Sequence, residues 1–367
     1  MQTSVKQLHS LDCHDDEVIR LQFSRNGKLL ASADLGIIRL WDAVTGRQHG
    51  ILEDQDDTQF GMAFFSDGKW IASVSDDGNA QIWDVNTCKI EHTMNFEDES
   101  MLAVVFSPDS KLLATTSEVV RLWDTRTGVL HQTLLGPGDE QTVSLEAMWH
   151  RNEYPMPVTE VIFSPDGKKL VSACYGTNQV RVWNVRTWTL EHTIHAQTVK
   201  FSPDGSYLAT AVNDYAAIQL HDAAVWELQS TIEGSRRRGS LHTFSPDGNL
   251  VAVSARRDVG LWDVKTGTLI KLLAGHEKDV HSIDFSPDGR ILISGAGCYD
   301  VRIWNVETGD CLLMFEHKGA AKDAYGRCGS NVMRVRFGEE ETKVALAFLD
   351  GSVAIWEVTW GGVQSND

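Results

Sequence analysis

The stretch VIFSPDGKKLVSACYGTNQVRVWNVRTWTLEHTI, residues 161–194, carries the pattern from which the fold is read. An alternating apolar run, Val161 to Phe163, meets Ser164-Pro165-Asp166-Gly167, and a second run, KKLVSA, follows. Alternating apolar and β-branched residues on both sides of such a tetrapeptide predict strand, tight turn, strand. Proline presets the first central φ, aspartate bonds its own backbone, and glycine takes the positive φ that closes the hairpin. A polar break leads to VRVWN, ending at Asn184, a third strand. A short turn then leads to TLEHTI, a fourth. Four antiparallel strands in about forty residues cannot bury both faces alone, and packing such sheets radially solves that while leaving only short edges.

The same unit recurs along the chain. Its third strand reads IIRLWD ending at Asp42, AQIWD at Asp84, VVRLWD at Asp124 and VRVWN at Asn184. It continues as AIQLHD at Asp222, VGLWD at Asp263, VRIWN at Asn305 and VAIWE at Glu357. The marker residues Trp41, Trp83, Trp123, Trp183, His221, Trp262, Trp304 and Trp356 are spaced by 42, 40, 60, 38, 41, 42 and 52 residues. Length agrees, since 367 residues exceed what one ordinary core usually holds and suit a repeat architecture.

Composition narrows the class. Apolar residues make up 42% and charged residues 23%, which excludes collagen-like, coiled-coil and disordered chains. Thirty-three basic against 51 acidic residues give a net charge of −18, opposed to general binding of a phosphate backbone. No run approaches the ~18 apolar residues of a membrane span, and MQTSVKQLHSLDC has no apolar signal region. The six cysteines, Cys13, Cys88, Cys174, Cys298, Cys311 and Cys328, form no C-x-x-C pair and no zinc spacing with histidines. A reducing compartment, cytoplasm or nucleus, is the expectation.

Over nearly its whole length the chain resembles the WD40 repeat family. The resemblance rests on the eight Trp-Asp-type ends and on Ser-Pro-Asp-Gly hairpins at 107–109 (Ser110 replacing glycine), 164–167, 202–205, 245–248 and 286–289. Gly275-His276 matches the family's Gly-His signature, and His14 falls at the same place in its unit. The family's aspartate, six residues before the tryptophan, is matched only by Asp77 and Asp350, and His221 replaces one tryptophan. The buried His-Asp-Trp network of the family is therefore expected to be mostly absent, with blades held largely by packing.

The resemblance implies an all-β, closed β-propeller of eight four-stranded blades, with seven blades as the alternative if the His221 unit is displaced. The last unit lacks an outer strand of its own, while VKQLHSL, Val5 to Leu11, is a spare one. The N-terminal strand would thus join the last blade and close the ring. Residues 1–360 are expected to form this single propeller and 361–367 a short flexible tail, leaving no room for a catalytic or adaptor domain.

In such propellers the loops between blades, and those between second and third strands, share one rim. On it Arg236, Arg237 and Arg238 would meet Arg256 and Arg257 from another loop of the same blade. Arginine forks suit carboxylate and phosphate, so this patch is expected to bind an acidic or phosphorylated segment of a protein or peptide. Pairing with acidic residues of the chain is the alternative. Asp12, Asp15, Asp16, Glu17, Glu53, Asp54, Asp56, Asp57, Asp76, Asp77, Glu97, Asp98, Glu99 and Glu118 form an acidic sector, either a solvated face or a guide for a basic segment. The long insertion from Gly136 to Pro157 carries Met148, Trp149, Tyr154 and Met156, apolar anchors for a partner or a lid over the ring centre, with a short helix from Thr142 to His150. A second insertion, His317 to Ser330, reads as a mobile loop.

No catalytic motif is present: there is no G-x-S-x-G, H-E-x-x-H, P-loop or dinucleotide fingerprint. Glu91-His92-Thr93 and Glu191-His192-Thr193 recur at one repeat position, which marks them as structural. The expectation is a non-enzymatic interaction scaffold without metal or cofactor, a monomer or part of a larger complex. Small-molecule binding or catalysis in a central pocket under residues 136–157 is the alternative.

Overall fold

The structure, a computed structural model, describes residues 3–12, 14–34, 36–53, 59–95, 100–135, 157–212, 217–233, 242–316, 331–338 and 342–359. Among them are eight four-stranded sheets and no helix, an eight-bladed β-propeller. Blade 1 pairs Arg20–Phe23, Leu29–Ala33, Ile37–Asp42 and Gln48–Glu53 in that order. The same order repeats over residues 59–95, 103–134, 160–195, 198–233, 242–273 and 280–316, blades 2 to 7.

Blade 8 is assembled from separated segments. Val332–Phe337, Lys343–Phe348 and Ser352–Thr359 supply three strands, and Ser4–Asp12 pairs antiparallel with Ser352–Thr359 as the fourth. The spare N-terminal strand therefore completes the last blade, and the count is eight rather than seven.

Packing divides the blade by strand. The second strand is buried along almost its whole length, as in Leu29–Ala33 and Trp70–Ser75, and most of its inner residues are aliphatic or small. The fourth strand faces water, and in Gln48–Glu53 only Leu52 is buried. The chain divides into two compact units, Met1–Asp54 with Ser230–Asp367, and Gln55–Gln229. Within the first, the apolar contact between blades 7 and 8 joins Ile293, Val301 and Ile303 to Val335, Leu346 and Phe348. Within the second, Val120, Leu122 and Leu134 of blade 3 pack on Val161, Phe163 and Leu170 of blade 4.

Two polar devices recur and explain the repeat's signature residues. In the first hairpin, Ser164 donates to Asp166 at 2.7 Å and accepts the Lys169 amide at 2.9 Å, while Asp166 accepts the Lys168 amide. The Ser164 hydroxyl, opposed by desolvation and aided by Lys168, draws the Asp166 carboxyl down to about 2. After the marker tryptophan, Asp42 Oδ1 accepts the amides of Val44 and Thr45, and Asn184 and Asn305 do the same for their turns. Glu357 of blade 8 departs from this pattern because no turn follows it; its strand runs on to Thr359.

The buried network is present where the residue count from tryptophan did not place it. In blade 1, Trp41 donates to Ser32 at 2.9 Å, Ser32 joins His14 at 2.7 Å, and His14 joins Asp34 at 2.8 Å. Blade 7 repeats it with Trp304, Ser294, His276 and Asp300 at 2.8, 2.6 and 2.7 Å. The serine stands 18 residues after the histidine in both blades, whereas the aspartate shifts: Asp34 follows the second strand directly and Asp300 opens the third. Asp77 and Asp350 instead bond their own turns, at Asn79 and Ser352. Packing alone thus does not hold blades 1 and 7. Cys88, Cys174 and Cys311 form no disulfide, while Cys298 is disulfide-bonded, a departure from the reduced cysteines expected.

Candidate functional site

Of the eight residues expected to bind a partner, the structure describes Arg256 and Arg257. Arg236, Arg237, Arg238, Met148, Trp149 and Tyr154 lie outside the described residues, as do most of the two long insertions. Leu250–Ala255 and Asp258–Asp263 pair through to Ala255 and Asp258, so the two arginines form a two-residue hairpin turn. Such a turn needs a positive φ, normally supplied by glycine or asparagine, and Arg256 adopts it at 60°. The Val280 amide donates to the Arg256 carbonyl at 2.7 Å and ties the turn to the first strand of blade 7. Both side chains are exposed, and neither is ion-paired among the described residues. Pairing with the acidic residues, the alternative role, is thus not observed there. Of the acidic sector, Asp15, Asp16, Glu53 and Asp76 are exposed, and Glu17, Asp77 and Glu118 are half-buried.

A pocket of about 410 Å³ lies at the side of blades 2 and 3. Its floor is Phe65, Trp70, Ile82 and Phe106, and its lip is Glu91, His92, Thr125 and Arg126. Phe65 and Phe106 meet edge to face at 5.2 Å. His92 donates to the Arg126 carbonyl at 3.0 Å, which fixes the lip. Gly128 stands over that imidazole with φ 68°, where a Cβ would come within 3.2 Å of it. His92 is thus structural, as its recurrence suggested. An apolar floor with a few fixed polar groups at the rim suits a buried apolar side chain or a small ligand.

Reading loops alone missed this pocket, yet the sequence marks it. Blade 2 has FFSDGKW where blades 4 to 7 have FSPDG: Phe65 replaces the hairpin serine and Trp70 opens the second strand. That serine elsewhere turns inward to bond its aspartate and the amide five residues on, as Ser107 and Ser245 do. A phenylalanine cannot, and two aromatic rings are placed at the blade's side instead.

Comparison with known proteins bears on these features together. The family described as "WD domain, G-beta repeat" matches residues 5–42, 46–84, 149–184 and 267–305. The chain carries WD40 repeats. Periodic tryptophan protein 2 of Arabidopsis thaliana is 29% identical over 208 residues, 55% of this chain and 22% of that protein. COMPASS component SWD3 of Saccharomyces cerevisiae is 32% identical over 33% of this chain and 38% of its own length. Eukaryotic translation initiation factor 3 subunit I of Aspergillus fumigatus is 29% identical over 33% and 34%. The matched stretches of the WD40 repeats therefore span well under half of each of these relatives. The crystal structure of the computationally designed Ika8 protein superposes with a TM-score of 0.76 at 20% identity, covering 96% of this chain and 99% of that one, a likeness of fold alone.

Among the described residues no group of three or more His, Cys, Asp or Glu side chains could hold a metal ion. No helix among them is long and apolar enough to cross a membrane.

Proposed function

We propose that this WD40-repeat chain is a non-enzymatic scaffold that docks a partner protein or peptide on the loops of blade 6, inside the cell. The observation that carries the reading is the Arg256-Arg257 turn: two exposed guanidiniums without ion pairs among the described residues, on a two-residue hairpin tied to the next blade, in a chain of net charge −18. Arginine is the side chain whose planar fork matches carboxylate and phosphate, and a rigid turn loses little freedom on binding. The partner is therefore a segment rich in carboxylates or phosphates, with Arg236, Arg237 and Arg238 extending the patch and Met148, Trp149 and Tyr154 adding apolar anchors. Relatives named as a component of COMPASS and as a subunit of initiation factor 3 agree with a role inside assemblies.

The test is affinity capture from native lysate with wild type and with Arg256→Glu/Arg257→Glu, both shown folded by circular dichroism. Wild type is expected to retain specific proteins that the variant loses, and to release them as salt rises. Identical captured sets would remove the turn from the docking surface. The pocket of blades 2 and 3 supports a second docking point, for one apolar side chain of the same or another partner, and Trp70→Ala is its probe.

A further inference from the structure

The first strands of blades 7 and 8 read VHSIDF and VMRVRF, Val280–Phe285 and Val332–Phe337. In blade 7 the third and fifth positions accept hydrogen bonds from blade 8. Ser282 takes the Val335 amide at 3.0 Å, and Asp284 takes the Phe337 amide at 2.9 Å. Blade 8 places Arg334 and Arg336 at those two positions, and a guanidinium has no acceptor to offer. Two residues apart on a strand, they share a face at a spacing of roughly 7 Å. The first strand of blade 1, Arg20–Phe23, lies against the first strand of blade 8 and adds Arg20.

Arg334 and Arg336 are poorly neutralised among the described residues. Arg334 and Arg336 are both half-buried, and each gives one N–H to a carbonyl of its own strand, Met333 and Val335, at 2.8 Å. Among the described residues no carboxylate is ion-paired with either. Burial, then the charges of Arg20 and Arg336, draw Arg334 down to about 10, with Glu17 opposing. It stays protonated at neutral pH all the same, so the fold carries like charges in a partly desolvated place. His281, on the first strand of blade 7, is pushed down by burial, opposed by Asp279 and reinforced by Arg334. A neutral imidazole there still has an N–H to donate.

We infer that Arg20, Arg334 and Arg336, with His281 beside them, form a binding site for a small phosphate-bearing anion with two or more negative charges. Several planar donor forks match the many oxygens of a phosphate group, whereas one carboxylate offers two oxygens and a single charge. The half-buried guanidiniums favour a small ion over a chain. The site shares no residue with the Arg256-Arg257 turn and does not depend on it.

Titration calorimetry in phosphate-free, low-salt buffer tests the inference, with pyrophosphate as the probe and sodium chloride as the control for ionic strength. Wild type and Arg256→Gln/Arg257→Gln are expected to bind alike, and Arg334→Gln/Arg336→Gln to lose about tenfold or more in affinity. Arg336→Gln alone serves if the double variant does not fold. A phosphoserine peptide in place of pyrophosphate distinguishes a protein-borne phosphate from a free one. The inference is overturned if wild type shows no pyrophosphate heat beyond the salt control. It is overturned equally if the inner-strand variants bind as wild type does.

Discussion

At the scale of single residues, the clearest link between chemistry and stability is Asp34. Burial pushes its carboxyl up, but the bond from His14 and the amides of Gly36 and Ile37 outweigh that and hold it below its ordinary 3.8. A carboxylate lowered by folding contributes stability that is complete above about pH 4 and lost as pH falls through the folded value. Asp34→Asn is therefore expected to cost about 1.5–3 kcal/mol at pH 7 in urea unfolding, with the gap from wild type closing toward pH 3. A gap that stays constant over that range would deny the carboxylate its role. His221 acts in a neighbouring pH window: burial pushes its imidazole down, so its contribution is whole above about pH 6.5 and declines as acid charges the unfolded chain. Residue spacing misplaced the network's aspartate for a geometric reason. Asp34 stands seven residues before Trp41, ahead of the third strand, and Asp300 four before Trp304, at that strand's first residue, while histidine and serine stand 18 apart in both blades.

At the scale of elements, the sequence was legible wherever a turn makes its own chemical demand. Asp42, Asn184 and Asn305 are needed to accept turn amides, and Ser164 and Asp166 to close a hairpin, so the strand ends could be read directly. The pocket of blades 2 and 3 was not read, because Phe65 and Trp70 of blade 2 make it together with Phe106 of blade 3, and no single unit shows a hollow. Nor was the arginine cluster, since Arg20 and Arg334 are 314 positions apart in the chain and only topology makes them neighbours. The same topology makes Ser4–Asp12 a vulnerable element. His9 on that strand donates to the Val44 carbonyl at 2.9 Å, and Gly46, at φ 67°, leaves the space its imidazole occupies. Gly46→Ala is expected to destabilise by about 1–3 kcal/mol in chemical denaturation, through crowding and an unfavourable φ. A change below a few tenths would mean that the strand is not clasped there.

For the whole molecule, a net charge of −18 on 367 residues sets a background of repulsion on which every local ion pair sits. Raising sodium chloride from low to physiological levels should lift the melting temperature by about 1–3 °C, because screening relieves that repulsion while the buried histidine networks are little affected. A fall in melting temperature would show that surface ion pairs, such as Lys168 with Asp166, outweigh it. The pairing of Ser4 with Thr359 has a further consequence, for biosynthesis. The segment around residue 4 leaves the ribosome 355 residues ahead of its partner strand. At about 5–20 residues per second that is a wait of roughly 20–70 s. Throughout it, a nine-residue strand with unpaired backbone groups is available to any open sheet edge nearby, including that of another nascent copy on the same messenger.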